Sequence, residues 1–219
     1  MFTTPESALI ASDVVIKKSR FIGRVFSVQN VDEADAELNR VRQIEKSVTH
    51  NCFAYSIGLG VPVERFSDDG EPSGTAGKPI LEVIRRRGVS NVLVVVTRYF
   101  GGTLLGANGL VRAYADMASH ALDETSLLTC RQMNRIYINC DYSYYGKLEY
   151  ELGRLGFTLM EKQFSDEVAF FVLVPVVEAD TLCSHIADWS VGQAHVVVQP
   201  AEYVGLANDG TFRFNVIRI

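Results

Sequence analysis

The 219-residue chain is poor in cysteine, has one tryptophan and carries no excess of basic residues. Its four cysteines, at 52, 130, 140 and 183, form no C-x-x-C pair, and the gaps of 78, 10 and 43 residues match no zinc-ligand spacing. Free, buried thiols in a reducing compartment are expected instead. No apolar run approaches the roughly 20 residues that span a bilayer. The longest, Val92–Val96, is a strand's length. Residues 1–18 have no cationic start, apolar stretch and small-residue cleavage site, so no secretion signal is read. These absences predict a cytoplasmic protein with no membrane partner. Net charge is −5; residues 1–130 hold 14 Lys/Arg against 15 Asp/Glu, and residues 131–219 hold 7 against 11. Neither part has the overall basic charge of a non-specific nucleic-acid binder, which leaves only a local basic patch open.

What is present is a normal globular mixture, 47% hydrophobic and 21% charged. Two strands are expected within residues 12–29, separated by Lys17-Lys18-Ser19. A helix follows over 31–47, capped by Asp32, with Ala34, Leu38, Val41 and Ile44 on its inner face. Strands are expected at 52–58, 61–66 and 91–97, the last a β-branched run typical of burial on both faces. Helices are expected at 79–87 and 110–125. From Arg135 onward the pattern is strand 135–140, helix 144–155, strands 158–164 and 168–174, helix 179–189 and strand 195–204. That βαββαβ order is ferredoxin-like, so the chain is read as α+β with two domains, 1–132 and 133–219.

Chemistry-bearing residues concentrate in two glycine-rich loops of the first domain, each preceding a helix, where backbone N–H groups can meet an anion. The first holds Asp68, Asp69, Glu71, Ser73, Thr75 and Lys78 among Gly70, Gly74 and Gly77. The second holds Arg98, Gly101 and Gly102 and leads to Arg112. The first is no Walker A loop: only two residues separate Gly74 and Gly77, and Pro79 stands where a magnesium-binding hydroxyl belongs. Asp68 and Asp69 have the chemistry of a hard-metal ligand pair or a general base. The simpler reading is that they cap the loop and pair with Arg98, Arg112 or Lys78. No metal and no cofactor is expected. His50 and Cys52 share one face of a strand, a possible Cys–His nucleophile, but a strand-end histidine and a core thiol are preferred. No catalytic residue is assigned.

Arg65 to Pro79, Arg98 to Gly106 and Gly109 to Tyr114 resemble the signature of the IMPACT family, bacterial YigZ-like branch, as do Lys18–Phe21 and His50–Tyr55. The resemblance covers nearly the whole chain. It implies a first domain like the second domain of a small-subunit ribosomal protein and domain IV of elongation factor G. The second domain it implies is like domain V of that factor. It also implies a link to translation, since eukaryotic members of the family regulate translation through a scaffold of a starvation-kinase pathway. One departure is Ala107-Asn108, where the family has a further glycine; Asn108 is expected to take that glycine's left-handed turn. Two functional readings stand on these residues. In one, the loops bind RNA or a ribosome-associated protein. In the other, the chain is a hydrolase or transferase acting on a phosphorylated small molecule, with Asp68, Asp69 and Glu71 as base or metal ligands. A third places function on the exposed sheet of the second domain.

Overall fold

The computed structural model describes residues 1–45 and 48–217. It divides into two compact units, Met1–Cys130 with Gly205–Arg213, and Arg131–Val204 with Phe214–Val216.

The first unit is built on a sheet in the order β2-β3-β6-β4-β5. Its strands are β2 (Leu9–Ile16), β3 (Ser19–Ser27), β4 (His50–Ile57), β5 (Val63–Ser67) and β6 (Val92–Tyr99). The β-branched run forms central β6, and alternate residues enter two different cores. Val92, Val94 and Val96 meet helices α2 (Gly77–Arg87) and α3 (Ala107–Glu124) through Ile80, Ile84, Tyr114 and Met117. Leu93 and Val95 face α1 (Val31–Ile44) through Ala34, Leu38 and Val41. A short β1 (Phe2–Pro5), not expected from the sequence, pairs antiparallel with residues 127–130 of β7 (Leu127–Cys140).

Several expectations are corrected. Helix α1 is capped by Asn30, whose Oδ1 accepts from Glu33 N at 2.8 Å, rather than by Asp32. Glu33 returns a carboxylate oxygen to Gln29 N at 2.9 Å, close to the reciprocal capping-box pattern. Ile44 is exposed, because α1 ends there; the expected extension to Ser47 falls partly outside the described residues. The second unit runs β7, α4 (Tyr142–Arg154), β8 (Met160–Phe164), β9 (Val168–Pro175), α5 (Ala179–Trp189) and β10 (His195–Val198). Antiparallel pairings place β10 beside β7, β7 beside β9 and β9 beside β8. This is the split βαβ arrangement. The strand expected over 195–204 is two, β10 and β11 (Glu202–Leu206), because Pro200 cannot donate to a ladder.

Candidate functional site

The first glycine-rich loop is two consecutive turns. Asp69 and Gly70 have φ of 44° and 90°, and Glu71 N donates to Asp68 O at 2.9 Å. Positive φ at both central positions is the type I′ signature, which Asp-Gly favours. Thr75 N then donates to Pro72 O at 3.1 Å, and the Thr75 hydroxyl donates to the same carbonyl at 2.6 Å. Asp68 closes the loop. Its Oδ2 accepts from Gly74 N at 2.8 Å, and its Oδ1 accepts from Ala76 N and Gly77 N at 2.9 Å each. The chain's own carboxylate thus occupies the anion position at the start of α2. Asp69 accepts from Asn51 N at 2.6 Å through Oδ2. Arg42 Nη2 stands 3.9 Å from its Oδ1. The aspartates do cap the loop, but their partners are backbone amides and Arg42, not Arg98, Arg112 or Lys78.

The two loops meet, but not through adjacent strands. Strand β6 does not neighbour β5; β4 lies between them. Contact is made through side chains instead. Arg98, at the end of β6, donates from Nη1 to Glu71 Oε1 at 2.6 Å and from Nη2 to Ser19 Oγ at 3.1 Å. Tyr114 of α3 donates to the same Glu71 oxygen at 2.8 Å. Arg98 and Glu71 side chains are 5% and 4% exposed, so this is a desolvated ion pair held by two extra hydrogen bonds. The Arg98 guanidinium lies 5.5 Å from the Phe21 ring and 5.3 Å from the Phe100 ring, which adds cation–π attraction.

His50 joins this network from β4. Its Nδ1 is 2.7 Å from Asp69 O, and since a carbonyl only accepts, Nδ1 carries the proton. Its Nε2 is 4.0 Å from Glu71 Oε2. Cys52 donates from Sγ to Asp68 O at 2.9 Å, and burial pushes its thiol far above the ordinary range. A thiol held protonated is no nucleophile, which disposes of the Cys–His pair. Burial likewise drives the Tyr114 phenol upward. A cavity of about 330 Å³ opens onto His50, Glu71 and Arg98, walled by Phe100, Leu104 and Leu110.

Other expected site residues lie apart from this network. Ser73 is exposed, and Lys78 is exposed with no side-chain partner among the described residues. Arg112 is exposed on α3 and shares a cavity of about 200 Å³ with Lys17, Leu105 and Asp116. Gly101 has a steric purpose: a Cβ there would stand 1.9 Å from Lys18 O. Its amide donates to Ser19 Oγ at 3.3 Å. Gly102 is exposed. Asn108 is corrected. It lies in the first turn of α3, and the positive φ, 75°, belongs to Gly106.

Three participants were not singled out from sequence. Ser19 is fully buried between Arg98 and Gly101; Tyr114 stood only at the end of a family-like stretch; Lys17 stood only in the spacer between two strands. Lys17 and Lys18 form the two-residue connection between Ile16 and Ser19, with φ of 45° and 68°. Such a type I′ turn normally takes Asn-Gly, and two lysines in that geometry are strained. The signal available in the sequence was the two-residue spacing itself.

Comparison with known proteins agrees with this architecture. Residues 17–122 match the Impact N-terminal domain, and residues 138–193 match a domain of unknown function, DUF1949. The IMPACT family member YvyE of Bacillus subtilis is 36% identical over 195 residues, covering 89% of each chain. The chain belongs to the IMPACT family. YigZ of Escherichia coli, another member, is 33% identical over 184 residues, covering 83% of this chain and 90% of its own. A crystal structure titled as a hypothetical protein superposes with a TM-score of 0.56 at 32% identity, covering 90% of this chain and 96% of the other. No described helix is long and apolar enough to cross a membrane.

Proposed function

We propose that this IMPACT-family protein is a translation-associated regulator that binds RNA through the second glycine-rich loop, the Lys17-Lys18 hairpin tip and the start of α3. The observation that carries this reading is the strained, exposed lysine pair. Two L-residues with positive φ cost stability, and such strain persists where a surface needs those side chains. The surroundings support phosphate contact. The tip rests against Gly101, Arg112 borders the same cavity as Lys17, and α3 begins at Gly106 with no side-chain cap and no acidic residue in its first turn. Lys17, Lys18 and Arg112 make no ion pair among the described residues, so their charge is available to an external anion.

The hydrolase or transferase alternative fares worse on the same geometry. Asp68 and Asp69 are held by backbone amides, and one Glu71 oxygen is held by Arg98 and Tyr114. Those bonds tie the carboxylates to the chain itself, and a base or metal-binding role falls to the oxygen lone pairs they leave over.

The test is the affinity of the full chain for a labelled single-stranded RNA and for purified bacterial ribosomes, as a function of salt. Three phosphate contacts predict a slope of about −2 in log K against log salt, reduced by Arg112→Glu. Ribosome binding that ignores both salt and Arg112→Glu would favour a protein partner instead. No binding to either would sink the proposal.

A further inference from the structure

The α1 side of the same sheet carries a second feature, which the proposed RNA contact does not use. Strand β5 pairs with β4 from Val63 to Ser67 and with no other strand among the described residues. One row of its backbone N–H and C=O groups is therefore open, a ready template for another strand. A groove of about 370 Å³ lies between β5 and α1. Its α1 wall is Leu38, Asn39 and Arg42, which share one helix face by their spacing; Phe53 forms its floor, and Arg65 and Ser67 its far wall.

The register explains why Arg65 enters the groove. It sits opposite Tyr55, whose side chain packs on the α1 side, so Arg65 points to that side too. Arg65 is exposed with no side-chain partner among the described residues. Arg42 is exposed, and its near carboxylate, Asp69, is 3.9 Å away. Asp35 also lines the groove, so the two arginines stand against two carboxylates, Asp35 and Asp69, neither of which forms an ion pair with Arg65 among the described residues. On the opposite face β5 is tied down: Arg85 of α2 donates to Glu64 at 2.5 Å. The edge is thus held in place before anything docks, which lowers the ordering cost of binding.

An edge strand can be blunted by charge alone, and Glu64 and Arg65 would do that. Yet Glu64 is spent on Arg85, while Arg65 turns into a groove that already holds a second guanidinium. We infer that the groove receives an extended, acidic segment of a partner protein, which adds to β5 as a further strand. Backbone hydrogen bonds to β5 would supply affinity. Alternate side chains would enter the groove, with carboxylates meeting Arg42 and Arg65 and an apolar residue meeting Leu38 and Phe53.

The test is a selection of random displayed peptides of about ten residues, longer than β5, against the full chain. An Arg42→Glu/Arg65→Glu variant serves for counter-selection. Both arginines are exposed and, among the described residues, only Arg42 has a charged neighbour, Asp69 at 3.9 Å, so melting of the variant is expected to fall only slightly. Enriched peptides are expected to alternate acidic and apolar residues and to slow amide exchange within Val63–Ser67. They are also expected to lose about tenfold in affinity to Arg65→Glu. The inference is overturned by failure to enrich any peptide, by enrichment of basic or uncharged sequences, or by protection that spares Val63–Ser67. A dimer of the chain formed through β5, seen in sedimentation, would overturn it equally.

Discussion

The two glycine-rich loops look alike in sequence and do opposite things in the structure. The first, residues 68–77, is closed on itself: Asp68 accepts from three amides of its own loop and helix start, and Glu71 is buried against Arg98. The second, residues 100–106, faces outward. Phe100 is 46% exposed, Leu104 is 81% exposed, and α3 begins without a side-chain cap. Glycines, hydroxyls and charges therefore do not by themselves mark a ligand site. A carboxylate placed where it can reach the following helix converts a phosphate-like cradle into a clasp, whereas a loop with no such carboxylate leaves its helix start to the surroundings.

Breaking the clasp is expected to have the largest effect. Glu71→Ala leaves Arg98 buried without its counter-ion and should cost about 3–5 kcal/mol, read from chemical denaturation midpoints. For the same reason Arg98→Ala is a poor probe of binding, since it removes a structural ion pair. Asp68→Ala releases three amides at the start of α2 and should cost about 2 kcal/mol. A neutral outcome would mean that water or another group satisfies those amides and that the first loop is no clasp. At the hairpin the sign reverses. Lys17→Gly relieves an L-residue of positive φ and should stabilise by about 1 kcal/mol, while weakening RNA binding. A variant that gains stability and loses affinity would be hard to explain if Lys17 were only a spacer.

The smallest effect concerns pH. The Arg85 guanidinium beside Glu64 holds that carboxyl below its ordinary value. A depressed folded-state pKa contributes stability above the unfolded value, and the contribution fades as pH falls through the folded one. Glu64→Gln should therefore cost about 0.5 kcal/mol near neutral pH and nothing in strong acid. An equal loss at both pH values would show that Arg85 does not act through charge.

Much of the fold was legible because its periodicities are clean. The run at 92–96, four valines and a leucine, has the length and β-branched content of a doubly buried strand, and the βαββαβ order of the second unit follows from alternating helical and strand periods. The misses share a cause. Strand β1 and the start of β7, Leu127-Leu128-Thr129-Cys130-Arg131-Gln132, have no regular alternation that could be read. The break at Pro200 was visible in principle, since proline ends a ladder. At the candidate site, residue types were legible but pairings were not. Ser19 and Arg98 are 79 positions apart, and Tyr114 and Glu71 are 43 apart. Only the folded sheet and the helices packed on it bring them together, so nothing in the local sequence marks Tyr114 as a partner of Glu71. Asn108 was misjudged because Gly106, two residues earlier, already supplies the left-handed turn.

The central claim is that the first loop is structural and the lysine tip is the binding surface. The most direct test is a salt titration of RNA affinity for the parent chain, Asp68→Ala and Lys17→Gly/Lys18→Gly, all held below their melting temperatures. Asp68→Ala is expected to keep both affinity and salt slope. The double glycine variant should flatten the slope by about 1.4, two single-strand phosphate contacts at about 0.7 each. If Asp68→Ala abolishes binding while the glycine pair leaves the slope untouched, the two loops have been assigned the wrong way round.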